Sequence, residues 1–135
     1  INKINNVKIF NKAVSDKNGM VTMYYDNKDH AAHSLIHKQN KEIKIESITL
    51  EKIFEMENIK TCDYLKLDCE GSEFMILENL STNYFRKIKK ILLEYHLFND
   101  EIQLNKLKNR LIEEGFKLQV FPTNSKMGML FAKKE

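Results

Sequence analysis

The stretch from Cys62 to Glu73 limits the folds open to this chain more than any other. It opens with a short apolar run, Tyr64-Leu65-Lys66-Leu67, of the length of a buried strand. Three carboxylates follow, Asp68, Glu70 and Glu73, set around Gly71 and just ahead of the apolar Phe74-Met75-Ile76-Leu77. A strand that turns through glycine into a helix delivers its last side chains to the carboxyl edge of a sheet. Open α/β sheets bind their ligands at that edge. Like charges crowded there repel, so their presence needs a cause. Ser72 as a helix cap and Glu73 in the first turn, complementing the helix dipole, account for the later positions. Capping leaves Asp68 and Glu70 unexplained.

The remaining chain supplies a setting for such an edge. Val7 to Val14 reads as a strand, and Asn18-Gly19 is a hairpin signal leading into a returning strand over Met20–Tyr25. Asp26 to Gln39 is polar with little periodicity, and carries His30, His33 and His37. Two of these histidines would share a face if the segment were helical, which leaves a metal reading open. A mobile loop or a lid facing substrate is the preferred expectation. Glu42 to Ile48 alternates as a half-exposed strand does. Thr49 then caps a short helix with Leu50, Ile53 and Phe54 on one face. Cys62–Leu67 is the next strand and Ser72 to about Leu80 its following helix. Lys89–His96 is another apolar strand, ending on Glu94 and His96. Asp100 with Gln103 forms a capping box for a helix whose buried stripe is Leu104, Leu107 and Leu111 and whose end is Gly115. Phe116–Phe121 and Met127–Ala132 are expected to close the chain as an antiparallel hairpin. From Ile43 onward strands and helices alternate, which predicts one α/β domain with a largely parallel, helix-covered sheet.

If the strands ending at Asp68 and His96 are neighbours, ~4.8 Å apart, then Asp68, Glu70, Glu94 and His96 gather in one small volume. Lys66 shares the strand face of Asp68, where its ammonium either offsets the carboxylates or snorkels from a sheet edge. Such a cluster suits removal of a proton from a hydroxyl, with His96 or a carboxylate as base. It also suits oxygen coordination of a divalent cation, with His96 as an added ligand. A charge network that merely steadies two strand ends is the third possibility. With 22 basic against 19 acidic residues, and lysines dispersed rather than massed, the chain gives no footprint for nucleic acid. No apolar run reaches the ~18 residues of a membrane span. Cys62 and Cys69 form neither a zinc spacing nor a disulfide framework, so a cytoplasmic setting is expected.

Three segments carry a resemblance: Ile48-Thr49-Leu50-Glu51-Lys52-Ile53, Asp63 through Glu73, and Ile91-Leu92-Leu93-Glu94-Tyr95-His96. Together they look like the FkbM family of S-adenosylmethionine-dependent methyltransferases. Asn11 to Asp16 with Gly19 resembles that family's third-strand segment. The Lys66-to-Glu73 block is the most specific of these pieces. The resemblance implies a class I methyltransferase (Rossmann-like) sheet and methyl transfer to oxygen, on a small-molecule or glycan acceptor such as a sugar or natural-product hydroxyl. It implies Asp68, Glu70 and His96 as catalytic residues, Lys66, Glu73 and Glu94 as their support, and an adenine edge near Asn11, Ala13 and Val14. The family's first strand, glycine-rich turn and second-strand acid are expected ahead of Ile1, so that residues 1–135 are a partial domain, inactive alone. A divalent metal stays open as a cofactor. A metal-dependent phosphoester hydrolase and a non-catalytic interaction domain are the alternatives.

Overall fold

The computed structural model describes residues 6–26, 29–36, 38–97 and 101–135. The side chain of His30, together with His37 and the Asp100 cap, lies outside the described residues. The elements follow in the order β1 (Ala13–Val14), β2 (Gly19–Asp26), β3 (Asp29–Ser34), β4 (Lys41–Ile48), α1 (Leu50–Met56), β5 (Leu65–Leu67), α2 (Glu73–Glu78), α3 (Thr82–Phe85), β6 (Lys90–His96), α4 (Glu101–Glu113), β7 (Lys117–Pro122) and β8 (Met127–Lys133). They form a mixed α/β fold with two four-stranded sheets, ordered β1-β4-β2-β3 and β5-β6-β8-β7.

This corrects the expectation of one largely parallel sheet. Among the described residues only β1–β4 and β5–β6 pair in parallel. The other ladders, β2–β3, β2–β4, β6–β8 and β7–β8, are antiparallel. Alternation along the chain suggests parallel crossovers, yet β4 and β5 fall in different sheets and α4 leads to an antiparallel hairpin. That terminal hairpin is paired as expected, with Leu118 opposite Ala132 and Val120 opposite Leu130. It demands a glycine where the strands cross Tyr95: a Cβ on Gly128 would sit 2.5 Å from Tyr95 Oη and 2.6 Å from Phe121 O.

Three further local expectations change. The strand over Val7–Val14 shrinks to Ala13–Val14, which pairs with β4 at Ser47 and Ile48. Val7 and Ile9 are left exposed. The Asn18-Gly19 turn does reverse the chain, with Gly19 at φ 114°, but β4 inserts between the two strands it joins. Asn18 Oδ1 instead accepts the N–H of Thr49 at 3.0 Å, and Ser47 Oγ donates to Lys17 O at 2.7 Å. The histidine-bearing segment is not a loop throughout, since Asp29–Ser34 is an edge strand on β2.

The core lies between the second sheet and its helices. Leu67, Ile91, Leu93, Leu130 and Ala132 point to one side of that sheet and meet Phe74, Leu77, Phe85, Leu107 and Leu111. Thr49 caps α1 as expected, its hydroxyl accepting the N–H of Lys52 at 3.2 Å.

Candidate functional site

β5 ends at Leu67, and the next six residues make the turn that shapes the site. Glu70 sits in the left-handed region at φ 50° and Gly71 at φ 101°. A glutamate there costs ~1–2 kcal/mol relative to a right-handed backbone, so something must hold it. That holder is Glu73. Its side chain is wholly buried and its two carboxylate oxygens accept the N–H groups of Cys69 and Gly71, the latter at 2.9 Å. Burial pushes the Glu73 carboxyl above its ordinary value of 4.5, against the lowering effect of those N–H groups. Ser72 does not cap α2 with its hydroxyl, contrary to expectation. Its backbone is already helical (φ −78°, ψ −8°) and its side chain makes no capping bond.

β5 and β6 are parallel neighbours, with Leu67 opposite Leu93, so the ends of the two strands do lie side by side. Lys66 Nζ meets Asp68 Oδ2 at 2.7 Å, and this bond holds the Lys66 ammonium above its ordinary range. His96 Nε2 lies 3.6 Å from Glu70 Oε2, too long for a good hydrogen bond but close enough for charge pairing. Asp68 and Glu70 are each 38% exposed, while the His96 side chain is 14% exposed. Glu94 and His96 share the face of β6 that turns away from the core. Two contacts form, Lys66 with Asp68 and His96 with Glu70, so Glu70 rather than Asp68 stands beside the imidazole.

These acids open into a cleft of about 470 Å³ between the two sheets. One wall is Ala13 and Val14 of β1 with Met23 of β2. The facing wall is Asp68, Cys69, Glu70 and Ser72. His33 and Leu35 close the side, and Ser34 Oγ fastens β3 to the turn by donating to Glu70 O at 2.8 Å. A second groove of about 480 Å³, lined by Asn11, Lys12 and Ile45 among others, meets the first at Ala13 and Met23. Of the expected edge residues, Ala13 and Val14 line the cleft, and Asn11 and Ala13 line the second groove. His33, expected in a mobile loop or a lid facing substrate and given no site role of its own, lines the cleft from an edge strand. Its ring stacks on Tyr25 with centroids 6.0 Å apart and planes at 8°, and only the β2–β3 pairing brings it to the cleft. His96 stands behind Glu70, outside the cleft lining.

Cys69 also borders the cleft. Burial pushes its thiol up to about 11. Both cysteines are free thiols. Among the described residues no three His, Cys, Asp or Glu side chains converge on a metal position, and no helix is long and apolar enough to cross a membrane.

The profile of the methyltransferase FkbM domain matches residues 2–129, from ahead of β1 into β8. The chain belongs to the FkbM methyltransferase family. Neither a curated protein nor a solved structure gives a significant match. Membership assigns the FkbM domain to enzymes of the methyltransferase type, and it favours methyl transfer over the phosphoester hydrolase read from the acidic cluster alone. It also gives the acid-bearing turn a setting: in this FkbM chain the Asp68-to-Glu73 block stands at the carboxyl end of a parallel strand pair, facing a cleft.

Proposed function

We propose that this FkbM domain transfers the methyl group of S-adenosylmethionine to a hydroxyl oxygen of a sugar or natural product. The scaffold for this chemistry is read as a class I methyltransferase (Rossmann-like) sheet, with the parallel β5–β6 pair carrying the acid-bearing turn. The observation that carries this reading is the cleft itself. It joins a small-residue strand edge, Ala13–Val14, to the carboxylates of Asp68 and Glu70. The donor set fits the cofactor, because carboxylates complement a cationic sulfonium and the groove past Ala13 and Met23 sets apolar Phe10 and Ile45 beside polar Asn11, Lys12, Lys44 and Glu46, a mixed lining for its nucleoside. Asn11, Ala13 and Val14 would hold that edge. When bound, S-adenosylmethionine supplies a methyl group already activated by positive sulfur.

The work left to the protein is alignment and removal of one proton. Asp68 accepts the proton of the acceptor hydroxyl, and Lys66, paired with it at 2.7 Å, holds the carboxylate in position. Glu70 orients that hydroxyl, held in place by the Glu73 clamp below it. His96, 3.6 Å behind Glu70, is the alternative base and reaches the acceptor through that carboxylate. Glu94 sets the charge on the same strand face. The test is transfer of isotope-labelled methyl from S-adenosylmethionine to polyhydroxylated acceptors by the full product of the gene. Asp68→Asn is expected to slow it by about 10²–10⁴-fold, the usual range for a general base. An Asp68→Asn enzyme as fast as the parent refutes the assignment.

A further inference from the structure

The serine at the start of α2 has a hydroxyl with nothing to bond. Ser72 is 0% exposed and its Oγ has no hydrogen-bond partner. A serine at a helix start ordinarily accepts an N–H two or three residues on. Here the helical backbone of Ser72 rules that out, and the N–H groups of Cys69 and Gly71 are already committed to Glu73. An unpaired buried hydroxyl is destabilising, and alanine would avoid the cost. Yet Ser72 is part of the cleft wall, beside Glu70 and on the side of Asp68.

The chemistry of that wall defines what fits. An anionic group entering the cleft meets two carboxylates, each still 38% exposed: Glu70, and Asp68 with Lys66 as its partner. A ligand rich in neutral hydroxyls finds proton acceptors in Asp68 and Glu70, a hydroxyl in Ser72, and apolar surface in Ala13, Val14 and Met23. Serine has a single χ1 with three staggered wells, so its hydroxyl turns readily to a partner that a ligand brings. We propose that Ser72 is an acceptor-binding residue, donating a hydrogen bond to a neutral polyhydroxylated ligand, and that the cleft discriminates against phosphorylated or carboxylated versions of the same ligand. The assignment rests on reading the cleft as the acceptor site, and deepens that reading by giving the acceptor its charge class.

Ligand-observed NMR on the chain tests it, with methyl glycosides of neutral hexoses, a neutral tetrasaccharide, glucose 6-phosphate and glucuronate as probes. Neutral probes are expected to bind, and the two anions at least about tenfold more weakly. Ser72→Ala is expected to weaken neutral binding about tenfold, one hydrogen bond's worth, with a Tm no lower than that of the parent. A capping or packing serine would give the opposite pair of results, a lower Tm with binding unchanged, and that outcome overturns the proposal. So does equal binding of the anions, or no binding by any neutral probe. The tetrasaccharide against the single-ring glycosides tells whether a glycan end or a free sugar is preferred. Labelled-methyl transfer, run beside it, separates the two readings. Neutral binding that depends on Ser72 without any transfer refutes methyl transfer alone. Transfer with an unchanged KM in Ser72→Ala refutes the Ser72 assignment alone.

Discussion

The two sheets are held together by different means. Among the described residues every buried hydrophobic side chain is Ile48 or later in the chain, and nearly all serve the second sheet and the helices on it. α2 packs on β6, and α4 on β7 and α2. Among its described residues the first sheet buries Ile48 and, beside it, the serines Ser34 and Ser47, with Ser15 hidden just past β1. Its apolar rows stay partly open, with Ile43 48% exposed opposite Met23. Backbone ladders and hydroxyl bonds carry it, where area removed from water carries the other. A ligand cleft between them therefore has one stiff wall, which bears the acids, and one lightly held wall, which bears His33.

The contrast breaks most directly by truncating each wall. Phe85→Ala, in a fully buried ring that meets Phe116 edge-on at 6.3 Å, is expected to cost ~3–5 kcal/mol. Ile43→Ala in the first sheet is expected to cost less than ~1 kcal/mol, as exposed substitutions do. Urea titrations measure both, and equal losses would erase the distinction. Next in size is the clamp that joins core to site. Glu73→Ala leaves two backbone N–H groups unpaired in a buried setting, for a loss of about 3 kcal/mol, and methyl transfer by the full gene product should fall with it. Normal activity would mean that the turn holds its shape unaided.

A smaller effect is readable in pH. The folded pKa of Glu73 lies above its ordinary value of 4.5. Its contribution to stability is thus fully present below that value and lost as pH rises through the folded pKa. The Tm of Glu73→Gln relative to the parent should accordingly climb between about pH 4 and neutrality. A flat difference would show that the clamp's N–H groups balance burial, and a falling one that they outweigh it. Smallest is Ser34→Ala, which removes the bond from β3 to Glu70 O. It should cost ~1 kcal/mol yet change acceptor KM more than it changes Tm, which would sharpen the idea of a lightly held wall.

Where one face of an element is buried and its ends are chemically marked, the sequence was readable. Glu42–Ile48, the Thr49 cap, the strand before Glu94 and His96, and the terminal hairpin all emerged from alternation and turn residues. So did the meeting of the Asp68 turn with the His96 strand. Elements defined by a distant partner did not. Asp29–Ser34 has no apolar alternation, because as an edge strand it owes its existence to β2. Asn18-Gly19 gave a correct turn and a wrong pairing, since nothing local announces that β4 will enter between its strands. Ser72 matched the cap pattern, and only the buried position of Glu73 reveals that the nearby N–H groups are taken.

Glu70 has a wider meaning than its place in the cleft. Its backbone occupies the part of dihedral space where glycine is at home, and the following residue is a glycine in the same region. A chain carrying Glu70→Gly would fold with less internal opposition and would have no carboxylate to offer the acceptor. Under the proposed acceptor role of Glu70, durability and activity are set against each other at a single torsion.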